Sequence, residues 1–575
     1  MLTAGLVLAM SGTATAASLH DHRLGRYTDQ QLTWGDCAFT PAKGSADAQC
    51  ALVTVPRDWA DPGAGPDIKV SVSRVAATGE RKGAILVNPG GPGGQGTSLA
   101  GDIAGLRPEL SAGYDLVGMD PRGTGQEGAD QGLVCHIPDS QLPQDTLLDA
   151  RDRSPRSLAE HALTPKAVAD TCGADDLTPY VTTWQTAHDM DLIRALLGED
   201  KLNYLGYSYG SWLGAKYTSL FPGHAGRVVL DSSVNWQGRL QADFEDFPRI
   251  DQRQFDETYL PWVVRNLPEH IGGTVSAARA TWEKVRAYYT DNGVSPDSFD
   301  AVFVGMGSEL QWLLASAIFE AGAQGLAEDQ GAGEPGGGAA AAAVSARLDD
   351  RAREVFGVPV AKVTPADVRG ALNGRGAAAG DEPATTDVAG TRYAVACGDQ
   401  PAPTADWYRH LSDRQGPRYP VYGWAYGLSE PCGYWKREQR ERLPRLPLSM
   451  ASHVLVVQGE FDPQTAYEQA REAVREAPGT GMLSVDDSAF HGQYALAGNT
   501  CVDAAVEGFL LGGDRPYRQT CPGTPLPGET VVYPTTGPVT PQHSHTPRLR
   551  AEGTTADTLR ESLRQSVSEV NHPAP

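Results

Sequence analysis

Six short apolar runs constrain this chain more than any other feature. They are Ala84–Asn88, Tyr114–Asp120, Leu202–Tyr207, Val228–Asp231, Val454–Gln458 and Leu483–Val485. Runs of this length, mostly apolar throughout, read as parallel strands buried on both faces. A helix is predicted between two of them, from about Trp184 to Leu197. Thr182 or Thr183 can cap it, Met190, Ile193 and Leu197 share one face, and Gly198 ends it. Strand–helix alternation of this kind implies a mostly parallel α/β sheet.

The runs are unevenly spread. Four lie before residue 235 and two after 450. The intervening 236–395 carries helical, aromatic-bearing segments such as Phe255–Asn266 and Val275–Tyr289, and reads as a lid inserted late in the sheet. It also holds Gly331–Ala343, a Gly/Ala-rich tract that cannot bury much surface and is expected to be a flexible loop. The expected organisation is a leader at 1–16, core at 17–235, lid at 236–395, core again at 396–530, and a loosely packed tail at 531–575.

The formal net charge is −23, with 71 acidic against 48 basic residues. Such a surface repels nucleic acid and anionic lipid, so neither is an expected partner. Leu2–Met10 is a short apolar run followed by Ala14-Thr15-Ala16, the pattern of a cleaved export signal, too short to span a bilayer. The eight cysteines agree with export and form no C-x-x-C pair, so disulfides are expected rather than a zinc site. Pairing between sequence neighbours (37–50, 135–172, 397–432, 501–521) closes four short local loops.

Gly206-Tyr207-Ser208-Tyr209-Gly210 has the form G-x-S-x-G. In a chain with 65 glycines such a pattern needs support from its context. Here it follows a predicted strand and opens a helix through Trp212, Leu213 and Tyr217, the setting of a nucleophile on a sharp turn. A serine hydroxyl needs a base, and the base needs an orienting carboxylate. Asp462 lies just past the run Val454–Gln458 in Gly459-Glu460-Phe461-Asp462-Pro463, with Glu460 as its rival. His491 follows the run Leu483–Val485 and precedes Gly492. Of thirteen histidines, it alone combines a position after the acid with a strand-end loop followed by glycine. His453 begins a strand, and His543, His545 and His572 sit in the tail.

A tetrahedral intermediate also needs backbone N–H donors for its oxyanion. Tyr209, next to the serine, is one candidate. Gly91 is the other, in Asn88-Pro89-Gly90-Gly91-Pro92-Gly93-Gly94 after the first run. A phosphate-binding loop is the competing reading, but no G-K-[ST] follows. Asp120 and Arg122, in the Pro/Gly turn after the second run, are expected to brace that loop rather than react.

The motifs Asn88-Pro-Gly-Gly-Pro-Gly, Met119-Asp-Pro-Arg-Gly-Thr-Gly, Leu205-Gly-Tyr-Ser-Tyr-Gly and Gly459-Glu-Phe-Asp-Pro together resemble secreted bacterial tripeptidyl aminopeptidases. These are α/β-hydrolase-fold relatives of the prolyl aminopeptidases. The resemblance runs from about Cys37 to Cys521 and includes Ala394-Val-Ala-Cys-Gly-Asp399. The Gly/Ala-rich tract fits no pattern of that family.

The resemblance implies a secreted serine exopeptidase acting on peptides, with no cofactor or metal, expected to be a monomer. A carboxylesterase or lipase with the same triad is the alternative, and an inactive binding protein on the same scaffold is a remote one. An exopeptidase of this kind must recognise a free α-amino group, for which carboxylates are the natural partners. Asp243, Glu245, Asp246, Asp251, Asp256 and Glu257 crowd the start of the lid, and Asp399 lies near its end. Glu245, Asp246 and Asp399 are the expected substrate-binding residues.

Overall fold

The computed structural model describes residues 24–125, 132–329, 385–436, 440–541, 548–549 and 558–571. The expected leader at 1–16 and the Gly/Ala-rich tract at 331–343 lie outside these residues.

A nine-stranded sheet organises the chain. Its strands are β1 (Gln49–Val55), β2 (Ile68–Val75), β3 (Ala84–Asn88), β4 (Asp115–Met119), β5 (Leu202–Tyr207), β6 (Ala225–Asp231), β7 (Val454–Gly459), β8 (Gly481–Asp486) and β9 (Arg518–Pro522). Their spatial order is β1-β2-β4-β3-β5-β6-β7-β8-β9. Every pairing from β4 through β9 is parallel, whereas β1–β2 and β2–β4 are antiparallel. The six predicted runs are six of the seven parallel strands.

Side-chain alternation along these strands splits the core into two apolar layers. Ala84, Leu86, Leu202, Tyr204, Val454 and Val456 face one layer, which includes the helices Thr183–Leu196 and Tyr209–Leu220 and continues into the lid. Ile85, Val87, Leu205, Tyr207, Leu455 and Val457 face the other, covered by helices Thr97–Leu106 and Thr500–Leu510. Both faces of each strand are dry, which is why the runs carry no polar alternation. Thr182 caps the helix after it by accepting from the Gln185 amide at 3.3 Å, and Gly198 ends it with φ +73°.

β1, β2 and β9 were not foreseen, for a physical reason. In β1 buried and exposed side chains alternate, so no apolar run forms. β9 is an edge strand of which only Cys521 is buried, and the Cys501–Cys521 disulfide fastens it. All four disulfides join sequence neighbours as expected.

Among the described residues, no strand of the nine-stranded sheet lies in the region between Asp231 and Val454. It includes the helices Val275–Asp291, Glu309–Asp329, Thr391–Gly398 and Ala405–Gln415. It is not purely helical, because Thr385–Ala389 pairs antiparallel with Val134–Pro138. Its aromatic core reaches the sheet edge, where Trp312 meets Phe490 edge-on with centroids 5.4 Å apart.

The tail departs from expectation. Thr558–Asn571 is a helix whose Leu559, Leu563 and Val567, spaced every four residues, are buried in the second apolar layer. It packs on both the Thr97–Leu106 helix and the lid helix Glu309–Asp329. Its spacing was legible, but the Pro- and Thr-rich sequence before it masked the signal. Leu563→Ala should therefore destabilise the protein by about 2–5 kcal/mol in chemical denaturation, the usual loss for a buried leucine. A change below about 0.5 kcal/mol, typical of surface positions, would mean the helix is not docked.

Candidate active site

Ser208, Asp462 and His491 each follow the C-terminal end of a parallel strand, the edge at which α/β sheets place their ligands. β5 runs into Ser208, whose backbone adopts φ 55° and ψ −123°. That conformation costs about 1–3 kcal/mol and persists only where the surroundings enforce it. Here the Ser208 N–H donates to Asp231 O at 2.9 Å, and the helix beginning at Tyr209 continues beyond it. The flanking glycines are required by contact. A Cβ on Gly206 would lie 2.6 Å from Gly210 O, and one on Gly210 would lie 2.8 Å from Asn88 Oδ1. Ser208 itself is 5% exposed.

Asp462 and His491 are brought together from the loops after β7 and β8. His491 Nδ1 lies 2.9 and 3.0 Å from the two Asp462 oxygens, and both side chains are fully buried. Asp462 Oδ1 also accepts the Gln464 and Thr465 amides, each at 2.9 Å. These contacts fix the carboxylate before it meets the imidazole. The His491 N–H donates to Gly307 O of the lid at 2.9 Å. Its Nε2, the edge that would face a nucleophile, has no hydrogen-bond partner among the described residues.

The rival acid points elsewhere. Glu460 accepts the amides of Asp487 at 2.9 Å and Val539 at 2.6 Å, and burial pushes its carboxyl up to about 7. It groups with Asp486 and Asp487 rather than with His491. Asp120 and Arg122 are braces, as expected. Asp120 accepts the Thr97 amide at 2.9 Å, and Arg122 forms a fully buried fork with Asp189 at 2.6 and 2.7 Å.

The loop holding Gly91 lies beside the nucleophile turn. Asn88 Oδ1 accepts the Gly90 amide at 3.0 Å, and the same oxygen is the atom that Gly210 approaches. Tyr209 is the first helical residue, so its N–H is one of those an α-helix leaves without an internal acceptor. Its ring is buried, with the hydroxyl 2.6 Å from Thr183 Oγ1. The C-terminal helix closes over this corner. A Cβ on Gly94 would meet Val570 Cγ1 at 2.5 Å, and Ser568 Oγ lies 2.9 Å from Gln464 Nε2.

The three expected substrate-binding carboxylates do not form one group. Asp399 is buried, accepting the Thr183 amide at 2.8 Å and Trp212 Nε1 at 3.2 Å, and so braces the core. Asp246 is held by Arg249 at 2.6 and 2.7 Å. Glu245 sits 3.5 Å from Arg239. Of the other acids at the start of the lid, Asp243 and Asp251 are buried and accept the Asn235 and Gly305 amides, while Asp256 pairs with Arg279.

A carboxylate that sequence reasoning missed, Glu430, shares a pocket with Phe244, Phe247, Arg392 and Tyr422. Burial pushes its carboxyl up to about 7, Arg392 opposes the shift, and Glu245 adds to it. The pocket adjoins the Gly91 loop, since Thr391 packs against Gly93. No local motif marks Glu430; only the folding of a distant segment beside the lid brings it here.

Comparison with known proteins bears on the fold and the family. A family model described as alpha/beta hydrolase fold matches residues 83–306, and one described as TAP-like protein matches 419–521. A tripeptidyl aminopeptidase of Streptomyces coelicolor is 31% identical over 524 residues, covering 86% of this chain and 87% of that protein. The serine protease Hip1 of Mycobacterium tuberculosis is 24% identical over 542 residues, covering 90% and 94%. Carboxylesterase B of M. tuberculosis is 30% identical over 216 residues, covering 36% and 40%. With a relative of that identity spanning most of both sequences, the chain belongs to the tripeptidyl aminopeptidase family of α/β-hydrolase-fold enzymes.

Proposed function

We propose that this protein is a secreted serine exopeptidase that releases short peptides, tripeptides by analogy with its relatives, from free N-termini. The observation that carries the reading is the buried Asp462–His491 pair at the sheet edge where β5 turns into Ser208. Ser208 Oγ attacks the scissile carbonyl while His491 Nε2 accepts its proton. Asp462 holds the imidazole by Nδ1 and balances the charge that develops. The Tyr209 and Gly91 amides stabilise the oxyanion. His491 then returns the proton to the leaving amine, and water hydrolyses the acyl-enzyme by the same route. Residues of the protein alone suffice for these steps. Export is supported by four disulfides, and no helix among the described residues is long and apolar enough to cross a membrane.

Recognition of the substrate's ammonium is assigned to the Glu430 pocket, with Glu245 as the second carboxylate. Glu430 is desolvated and its proton affinity is raised further by Glu245, so a bound cation would relieve it. Asp246 and Asp399 are engaged by other groups and are set aside for this role.

Ser208→Ala should abolish turnover and labelling by a fluorophosphonate probe; labelling at the wild-type rate would remove Ser208 from the mechanism. Asp462→Asn should lower kcat by about 10³–10⁴, whereas Glu460→Gln should act mainly on stability. The reverse ranking would make Glu460 the acid. N-acetylation of Ala-Ala-Pro-coumarin should cut kcat/KM by at least about 100-fold, the loss expected when a charged hydrogen-bonding partner is left unmatched. Glu430→Gln should shrink that discrimination by weakening only the free-amine substrate. Equal rates on both peptides, with faster cleavage of short nitrophenyl esters, would favour the esterase reading.

A further inference from the structure

The loop that carries His491 is held at the end of β6 by Asp231 and Ser232. Three consecutive amides follow the histidine: Gly492, Gln493 and Tyr494. Gly492 N–H donates to Ser232 Oγ at 2.8 Å. Gln493 N–H donates to Asp231 Oδ1 at 2.9 Å, and Tyr494 N–H to Asp231 Oδ2 at 2.7 Å. Gly492 has φ +76°, a left-handed residue that turns successive N–H groups toward one concave side. Such a concavity binds anions, and here the anion is the carboxylate at the end of β6. Asp231 also accepts the Ser208 amide through its backbone oxygen at 2.9 Å. One fully buried residue therefore ties the serine turn to the histidine loop.

We propose that Asp231 is a positioning residue, which through its carboxylate fixes the His491 loop relative to Ser208, with Ser232 as its assistant. This rests on His491 being the base. Asp231 touches no reacting atom on this account; it acts through the backbone beyond His491. Two amide bonds to an anion are charge-assisted and hold a loop more firmly than neutral ones. A displacement of about 1 Å at a reacting group can cost about 100-fold in rate. The titratable groups that face Asp231 are His491 and Asp462 from the two loops and Tyr207 from β5. Burial pushes the Asp231 carboxyl up to about 7, opposed by the two amides and by His491. Its negative form favours the imidazolium, so removing that charge should move the acid limb of the kcat/KM profile to lower pH.

The test uses the full-length enzyme with a free-amine coumarin peptide. Asp231→Asn keeps the volume but offers one oxygen to two amides. It should lower kcat by about 10- to 100-fold with KM within about twofold, and shift the acid limb downward. Ser232→Ala removes one acceptor of three and should lower kcat by about 3- to 10-fold with the acid limb unmoved; it carries the test if Asp231→Asn does not fold. His491→Ala is measured alongside. If His491→Ala retains activity, the assignment of the base itself is wrong. If His491→Ala is inactive while the foldable Asp231 and Ser232 variants keep the wild-type kcat and acid limb, losing only thermal stability, the role given to Asp231 is overturned.

Discussion

The fully buried contact between Asp462 and His491 is the interaction on which the rest of this molecule is arranged. A carboxylate removed from water is tolerated only when its oxygens are occupied. Asp462 meets that condition with two amides and an imidazole, all from segments that turn back over the sheet edge. The pair also needs cover. The lid supplies it through Gly307 and Trp312, and the C-terminal helix through Ser568. Core, lid and C-terminal helix thus converge on one place, and the burial of that place depends on all three.

The same edge explains how strain is supported. Ser208 sits in an unfavourable backbone conformation, and its neighbours leave no space for side chains at Gly206 or Gly210. Three parallel strands underneath hold the turn from both sides, with the Asp231 backbone accepting its amide. A sheet buried on both faces is the stiffest platform available to a chain of this size. Ser208 follows one strand end, and Asp462 and His491 follow two others.

Acidity in this protein serves different ends in different places, and burial sorts them. Asp399 and Asp243 are structural acceptors, and Asp246 and Asp256 are neutralised by arginines. Glu430 differs because burial and the nearby Glu245 both raise its proton affinity, in a pocket it shares with Arg392. Overall charge foretold none of this. The net −23 is a property of the whole surface and does not tell one carboxylate's surroundings from another's.

The sequence by itself determined the parallel sheet, the strand ends that Ser208, Asp462 and His491 follow, and the disulfide pairing. These follow from local signals: apolar runs buried on both faces, glycines around a strained turn, and cysteines that are chain neighbours. The antiparallel strands β1 and β2, the edge strand β9 and the docked helix Thr558–Asn571 escaped, because segments that are half-exposed, polar-flanked or, as in β2, alternate apolar with polar residues carry no continuous apolar run. That His491 meets Asp462 rather than Glu460, where Glu430 lies, and that Asp231 accepts the amides beyond His491 are set only by tertiary structure. Each depends on which distant backbone amides and charges a carboxylate meets, and no periodicity along the chain encodes that meeting.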